Sequence, residues 1–102
     1  MLEIRPSCEN CDKGLPADSA DACICSYECT FCRDCVDSIL ENVCPNCGGG
    51  FVPRPIRPVS EWREGVSRGN QKPSVERKLK PVDEEAHKAF AVSIKDILPE
   101  KR

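Results

Sequence analysis

The sequence predicts a small metal-stabilised α+β domain followed by a C-terminal helix. Three observations carry that reading: nine cysteines in 102 residues, one Trp, one Tyr and three Phe as the whole aromatic stock, and the grouping of the cysteines into close pairs. So few large apolar side chains cannot build a generous core, and something else must hold the domain together. The opening stretch MLEIRPSCEN carries charges at Glu3 and Arg5 and no apolar run, which predicts neither a secretory signal nor a membrane span. A cytoplasmic location is expected. In that reducing compartment a cysteine-dense short chain binds metal more readily than it forms disulfides, and an odd count fits a disulfide framework poorly.

The elements follow from the spacing of the pairs, Cys8/Cys11, Cys25/Cys29, Cys32/Cys35 and Cys44/Cys47, with Cys23 left over. DKGLPADSADACI, after the first pair, reads as a loop entering a short extended segment at 22–27. VDSILENV, between the last two pairs, predicts about two turns of helix with Val36, Ile39, Leu40 and Val43 on one side. GGGFVPRPIRP then ends the compact part near Pro58, so the predicted division is a double metal-binding domain at 1–58, a basic, Pro-containing linker at 59–81 and an amphipathic helix at 82–102. Asp83 is the expected N-cap, Glu84 and Glu85 complement the first turn, and Pro99 is the expected stop. Ala86, Phe90, Ile94, Ile97 and Leu98 share a face of that helix. Its stripe should dock on the metal module, on a second copy or on a partner, the first being the commoner fate.

Charge is distributed unevenly. Residues 1–50 balance to −6 and residues 51–102 to +4. Two four-thiolate sites would make the first half more negative still, a field that repels phosphates. CxxC turns suit metal because both sulfurs of a tight turn reach one ion, and two turns complete a tetrahedron. Glycine comes just past each turn, CENC being followed by DKG and CPNC by GGG, where a positive φ would free amide protons for the sulfurs. Spacing alone leaves open whether pairs combine in sequence or interleave.

The pattern CxxC, CxxxC, CxxC, CPxC, with Phe31 before the third pair in CTFCRDC, resembles a RING-type cross-brace built of treble-clef-type knuckles, a short β-hairpin and one short helix. The resemblance implies one zinc on Cys8, Cys11, Cys32 and Cys35 and a second on Cys25, Cys29, Cys44 and Cys47. RING domains commonly carry histidine where this chain has Cys29, so an all-cysteine variant is implied. More closely, MLEIRPSCENCDKGLPADSADACICSYECTFCRDC with CPNCGGGFVPRPIRP resembles a small bacterial family known as domain of unknown function 1272. That likeness covers residues 1 to about 58, continues through SVERKLKPV, and leaves 83–102 as an extension. It implies metal binding and supplies no activity. Cys23 lies on the same side of its extended segment as Cys25 and could replace it as ligand, but a free thiol is favoured because four thiolates close a zinc site.

Two structural zinc ions are therefore the expected cofactors. An iron–sulfur cluster is the alternative, since the two-residue gaps joining Cys29, Cys32 and Cys35 are similar to a ferredoxin run. A closed four-thiolate zinc offers no position to substrate, and no other catalytic constellation is visible. His87 is expected to be a solvated surface residue. The expected function is that of a non-enzymatic protein-interaction or adaptor module, with Phe90, Ile94, Ile97 and Leu98 as candidate partner contacts and no small-molecule substrate. Nucleic-acid binding through the basic segment 54–80 with Trp62 is the alternative. Ubiquitin-ligase-like action is disfavoured: the first turn lacks an apolar contact residue, no Trp lies between Cys35 and Cys44, and Gly48 follows Cys47.

Overall fold

Two short strands and the turn joining them set the frame. In the computed structural model, which describes residues 1–102, β1 (Ala22–Ile24) pairs antiparallel with β2 (Thr30–Cys32), aligning Ala22 with Cys32 and Ile24 with Thr30. Cys25 and Cys29 close the hairpin, the Cys25 amide bonding the Cys29 carbonyl at 3.2 Å, and Glu28 takes the left-handed conformation (φ 67°) that so tight a turn needs. β3 (Val52–Pro53) pairs with the other side of β1, giving the strand order β2-β1-β3. Pro53, unable to donate to a ladder, lies in an edge strand, where proline is tolerated.

β2 runs straight into a helical segment. Cys32 is both the last strand residue and the N-cap of α1 (Arg33–Cys35), which continues as a wider π turn over Val36–Leu40. The expected helical segment is thus present, with Val36, Leu40 and Val43 buried, but it is wound wider than an α-helix. Glu41 and Asn42 then reverse the chain with consecutive left-handed residues, φ 53° and 58°. Phe31 packs edge-on against Phe51, ring centroids 5.5 Å apart, among Leu15, Val36, Leu40 and the cysteines. Only 23 of the 102 residues are buried, seven of them cysteines, so sulfur occupies much of what would otherwise be hydrocarbon core.

The segment after Pro58 behaves differently from a linker. Residues 58–71 form a loop closed by the Arg68 amide on the Pro58 carbonyl (2.7 Å). The chain then runs back along the first cysteine turn: the Ser74 amide bonds the Ile4 carbonyl (3.0 Å), the Lys80 amide the Glu9 carbonyl (2.7 Å), and the Val82 amide the side-chain oxygen of Asn10 (2.8 Å). Backbone bonds of this kind are independent of side-chain character, which is why a polar, basic composition reads as a linker or tail.

The C-terminal helix is shorter than the sequence suggests. α2 spans Glu84–Ala91, capped by Asp83, whose side chain accepts the Ala86 amide at 3.1 Å. Beyond it the chain tightens into turns, the Ile94 amide reaching the Ala91 carbonyl and the Ile97 amide the Ile94 carbonyl, before a 3-10 turn at Pro99–Lys101. Pro99 therefore begins a turn instead of ending the helix. The inward face also differs. His87 and Ala91 are buried, whereas Ala86 is exposed. No helix is long and apolar enough to cross a membrane.

Candidate metal centres

The two CxxC turns are built alike. In the first, the Cys8 amide bonds the Lys13 carbonyl (2.9 Å) and the Asp12 amide bonds the Cys8 carbonyl (3.0 Å). In the second, the Cys44 amide bonds the Gly49 carbonyl (2.8 Å) and the Gly48 amide bonds the Cys44 carbonyl (2.8 Å). The residue after the second cysteine has positive φ in both: Asp12 at 63° and Gly48 at 78°. Glycine was expected to meet that need in CENCDKG; Asp12 does so instead, and Gly14 bridges Ser7. Aspartate is one of the few residues that enters this region readily, and Asp12 is further held by Arg77, which donates to its carbonyl at 2.6 Å.

The hairpin and α1 dictate which turn meets which pair. Cys29 and Cys32 are separated by an extended strand, which at about 3.3 Å per residue holds them about 10 Å apart. They cannot share an ion. Cys32 and Cys35, one helical turn apart, face the first CxxC turn, while Cys25 and Cys29, at the hairpin tip, face the second. The sulfurs of Cys8, Cys11, Cys32 and Cys35 all lie within 4.8 Å of one another. Those of Cys11 and Cys32 are 3.7 Å apart, close to the roughly 3.8 Å edge of a tetrahedron with metal–sulfur distances near 2.3 Å. Cys25, Cys44 and Cys47 form the second group within the same limit.

Cys29 stands just outside the mutual spacing of that second group, yet it faces it. The Asn46 side-chain amide donates to the Cys29 sulfur at 3.4 Å, and its thiol is pushed up by burial and by Cys25. The first centre supplies the precedent: Asn10, at the same place in its turn, donates to the Cys35 sulfur at 3.3 Å. Each CxNC asparagine thus holds a sulfur of the opposite pair. The signal was in the sequence, as the shared Asn of CENC and CPNC, and spacing analysis passed over it. Two backbone amides add to the set, Tyr27 to Cys25 and Gly49 to Cys47, both at 3.4 Å. Hydrogen bonds of this kind orient thiolate ligands and offset their negative charge.

Burial pushes up the thiols of Cys32, Cys35 and Cys44 as well. At Cys11 burial acts in the same sense, but the Lys13 amide and the neighbouring thiols outweigh it and its pKa falls. Protonated, crowded thiols gain by exchanging protons for a cation, and the residues present fit a metal ion in two places. Cys23 belongs to neither group. It is fully buried in β1 opposite Phe31 and Pro53, with a thiol raised by burial.

Residues 1–57 match the family model described as "Protein of unknown function (DUF1272)". The chain belongs to this family. A relative from Rhizobium meliloti (strain 1021), described as an uncharacterized protein, is 58% identical over 60 residues, covering 59% of this chain and 71% of its own length. No solved structure matches. The matched segment of this DUF1272 chain contains every cysteine of both groups.

The other expected site residues fall outside the centres. Phe90 and Ile94 lie over Gly48, where a Cβ would stand 3.7 Å from Phe90 Cζ and 3.9 Å from Ile94 Cδ1. Their apolar face is therefore partly spent within the chain, while Ile97 and Leu98 remain 40% and 60% exposed. His87, expected at the surface, is buried with its Nε2 3.0 Å from the Leu40 carbonyl oxygen. The sequence reading missed it because the apolar stripe was drawn one residue away. Of the basic residues in 54–80, three are engaged internally. Arg54 is buried and donates to the carbonyls of Arg5, Leu15 and Pro16. Arg57 donates to those of Leu2 and Gln71, and Arg77 pairs with Asp12.

Proposed function

We propose that the protein is a non-enzymatic interaction module whose fold is held by two structural zinc ions. The observation that carries this reading is the convergence of four sulfurs, Cys8, Cys11, Cys32 and Cys35, at tetrahedral spacing with asparagine and backbone donors around the two centres. Zinc accepts that geometry without electronic preference, and four thiolates leave it no open position for substrate or water. Cys25, Cys44 and Cys47, with Cys29 as fourth ligand, hold the second ion. Bound structural zinc supplies about 10–16 kcal/mol per site in small zinc peptides, more than a typical small domain's whole stability, so the ions substitute for the missing core. Elemental analysis should return two zinc per chain. A brown protein with stoichiometric iron after anaerobic purification would replace zinc with the iron–sulfur alternative.

The interaction surface in this reading is the apolar remainder of the C-terminal segment, Val92, Ile97 and Leu98, which are 62%, 40% and 60% exposed. A protein partner is supported over nucleic acid by the internal use of Arg54, Arg57 and Arg77, which removes three cations from the basic segment. Affinity capture with the intact chain and with an Ile97→Asp/Leu98→Asp variant separates the two. Loss of a captured protein in the variant, at unchanged zinc content, is the expected result. Capture that instead follows salt concentration and nuclease treatment would favour nucleic acid.

A further inference from the structure

A cavity of about 360 Å³ lies between the two cysteine turns and α2. Its walls come from both halves of the chain: Glu9, Phe31, Pro45 and Asn46 from the family segment, and residues 80–83 with Ala86, His87 and Phe90 from the extension. Its volume is that of a small-molecule site. The apolar lining is Phe31, Pro45, Pro81, Val82, Ala86 and Phe90, two flat rings and two rigid pyrrolidines among them. Such walls match a flat ring better than a flexible chain.

The polar lining says what that ring must carry. The Leu40 carbonyl can only accept, so His87 Nε2, 3.0 Å away, bears the proton. With the proton on Nε2, an unprotonated Nδ1 offers an acceptor, and Nδ1 is buried without a partner. Asn46 uses its amide hydrogen on Cys29, which leaves its carbonyl oxygen spare. Asp83 engages one carboxylate oxygen with Ala86, and Glu9 directs one to Arg5 and Thr30, so each keeps a second oxygen. Against these acceptors stands one unpaired cation, Lys80. A lining this rich in unfilled acceptors selects a hydrogen-bond donor.

We infer that this cavity binds a flat aromatic ring bearing an N–H or O–H donor, of the indole or phenol class. His87 lines the cavity with Nδ1 itself buried, so a donor reaches that nitrogen on movement of a neighbouring side chain. Phe90 is suited to that movement: it is 44% exposed and its ring centroid lies 6.2 Å from that of His87. The same chemistry is available from a free small molecule or from a Trp or Tyr side chain on another polypeptide.

His87 is the sole histidine, so its ring nitrogens give unambiguous signals in a long-range ¹H–¹⁵N spectrum of the full-length, metal-loaded protein. Titration with indole should move the Nδ1 resonance saturably and perturb the Phe90 ring. The control is 1-methylindole, which keeps the ring and lacks the donor, and it should bind about tenfold more weakly. Ala86→Trp, which fills the cavity from an exposed helix position, should abolish the shift at unchanged metal content. The tripeptide Gly-Trp-Gly distinguishes the sources: binding as tight as indole points to a polypeptide side chain, and much weaker binding points to a free small molecule. Equal affinity for indole and 1-methylindole, or no saturable shift up to the solubility limit of indole, overturns the inference. That comparison uses the unaltered protein and does not depend on how any variant folds.

Discussion

Asn10 and Asn46 occupy equivalent positions in the two cysteine turns and donate to Cys35 and Cys29, but Asn10 does more. Its carbonyl oxygen also accepts the Val82 amide. Asn10→Ala should therefore cost roughly 1–3 kcal/mol, the range for leaving a partly buried donor unpaired, and Asn46→Ala roughly 1 kcal/mol. Release of metal to a chromogenic chelator should be faster in the first variant than in the second. Cys23 makes the opposite case, a cysteine outside both groups. Cys23→Ala should keep full metal content, whereas Cys25→Ala should lose one ion per chain. Burial raises the Cys23 thiol above its ordinary value of 9.0, so the folded chain keeps that proton after the unfolded chain has released it. Its contribution to stability is full below pH 9.0 and shrinks as pH climbs from there toward the raised value. Denaturation followed from pH 8 to 10 should show that decline in the parent and a smaller one in Cys23→Ala. The eight paired cysteines were legible from spacing. The asparagines between them were not, because a side-chain bond to sulfur leaves no mark in periodicity.

At the level of elements, the apolar positions Val36, Leu40 and Val43 were readable as a buried side, but the widening of their helix into a π turn was not. The wide turn ends in two left-handed residues, and its Leu40 carbonyl accepts the Val43 amide (3.0 Å) and His87 Nε2 (3.0 Å) together. A stripe drawn through Ala86, Phe90 and Ile94 maximises apolar content, yet the helix buries His87 and Ala91, where His87 adds a second donor to the Leu40 carbonyl. Gly48, lacking a side chain, leaves room for Phe90 and Ile94 to lie over the second cysteine turn from the same orientation. Such choices depend on partners distant in sequence and cannot be read from the helix alone. His87→Ala removes one of the two hydrogen bonds to the Leu40 carbonyl, which keeps the Val43 amide at 3.0 Å, and opens space beneath α2. The expected cost is about 2–3 kcal/mol, measured as a lower denaturation midpoint at unchanged metal content.

For the molecule as a whole, the extension acts as a clasp around the metal-binding half. Lys80, Val82 and Arg77 bind the first cysteine turn at Glu9, Asn10 and Asp12, and Arg102 reaches the carbonyls of Asn42 (2.7 Å) and Gly48 (3.2 Å) beside the second. Opening either turn to release an ion must break some of these bonds. A version ending at Pro58 should still take up two metals, since it keeps every cysteine, but should surrender them several-fold faster to a competing chelator. Unchanged release would show that the clasp does not restrain the centres. The sequence revealed the acidic and basic halves of the chain; their packing together rests on backbone bonds that composition does not encode.

Because Cys8 and Cys11 reach over the hairpin to Cys32 and Cys35, while Cys25 reaches forward to Cys44 and Cys47, the two loops of polypeptide closed by the ions overlap. An ion taken up in either loop would arrange part of the other, so a first ion would prepare the second seat. Chains supplied with one equivalent of metal should then divide into fully charged and bare populations, with singly charged chains scarce in a native mass spectrum. An even statistical spread of zero, one and two ions would mean that the interlock carries no cooperativity.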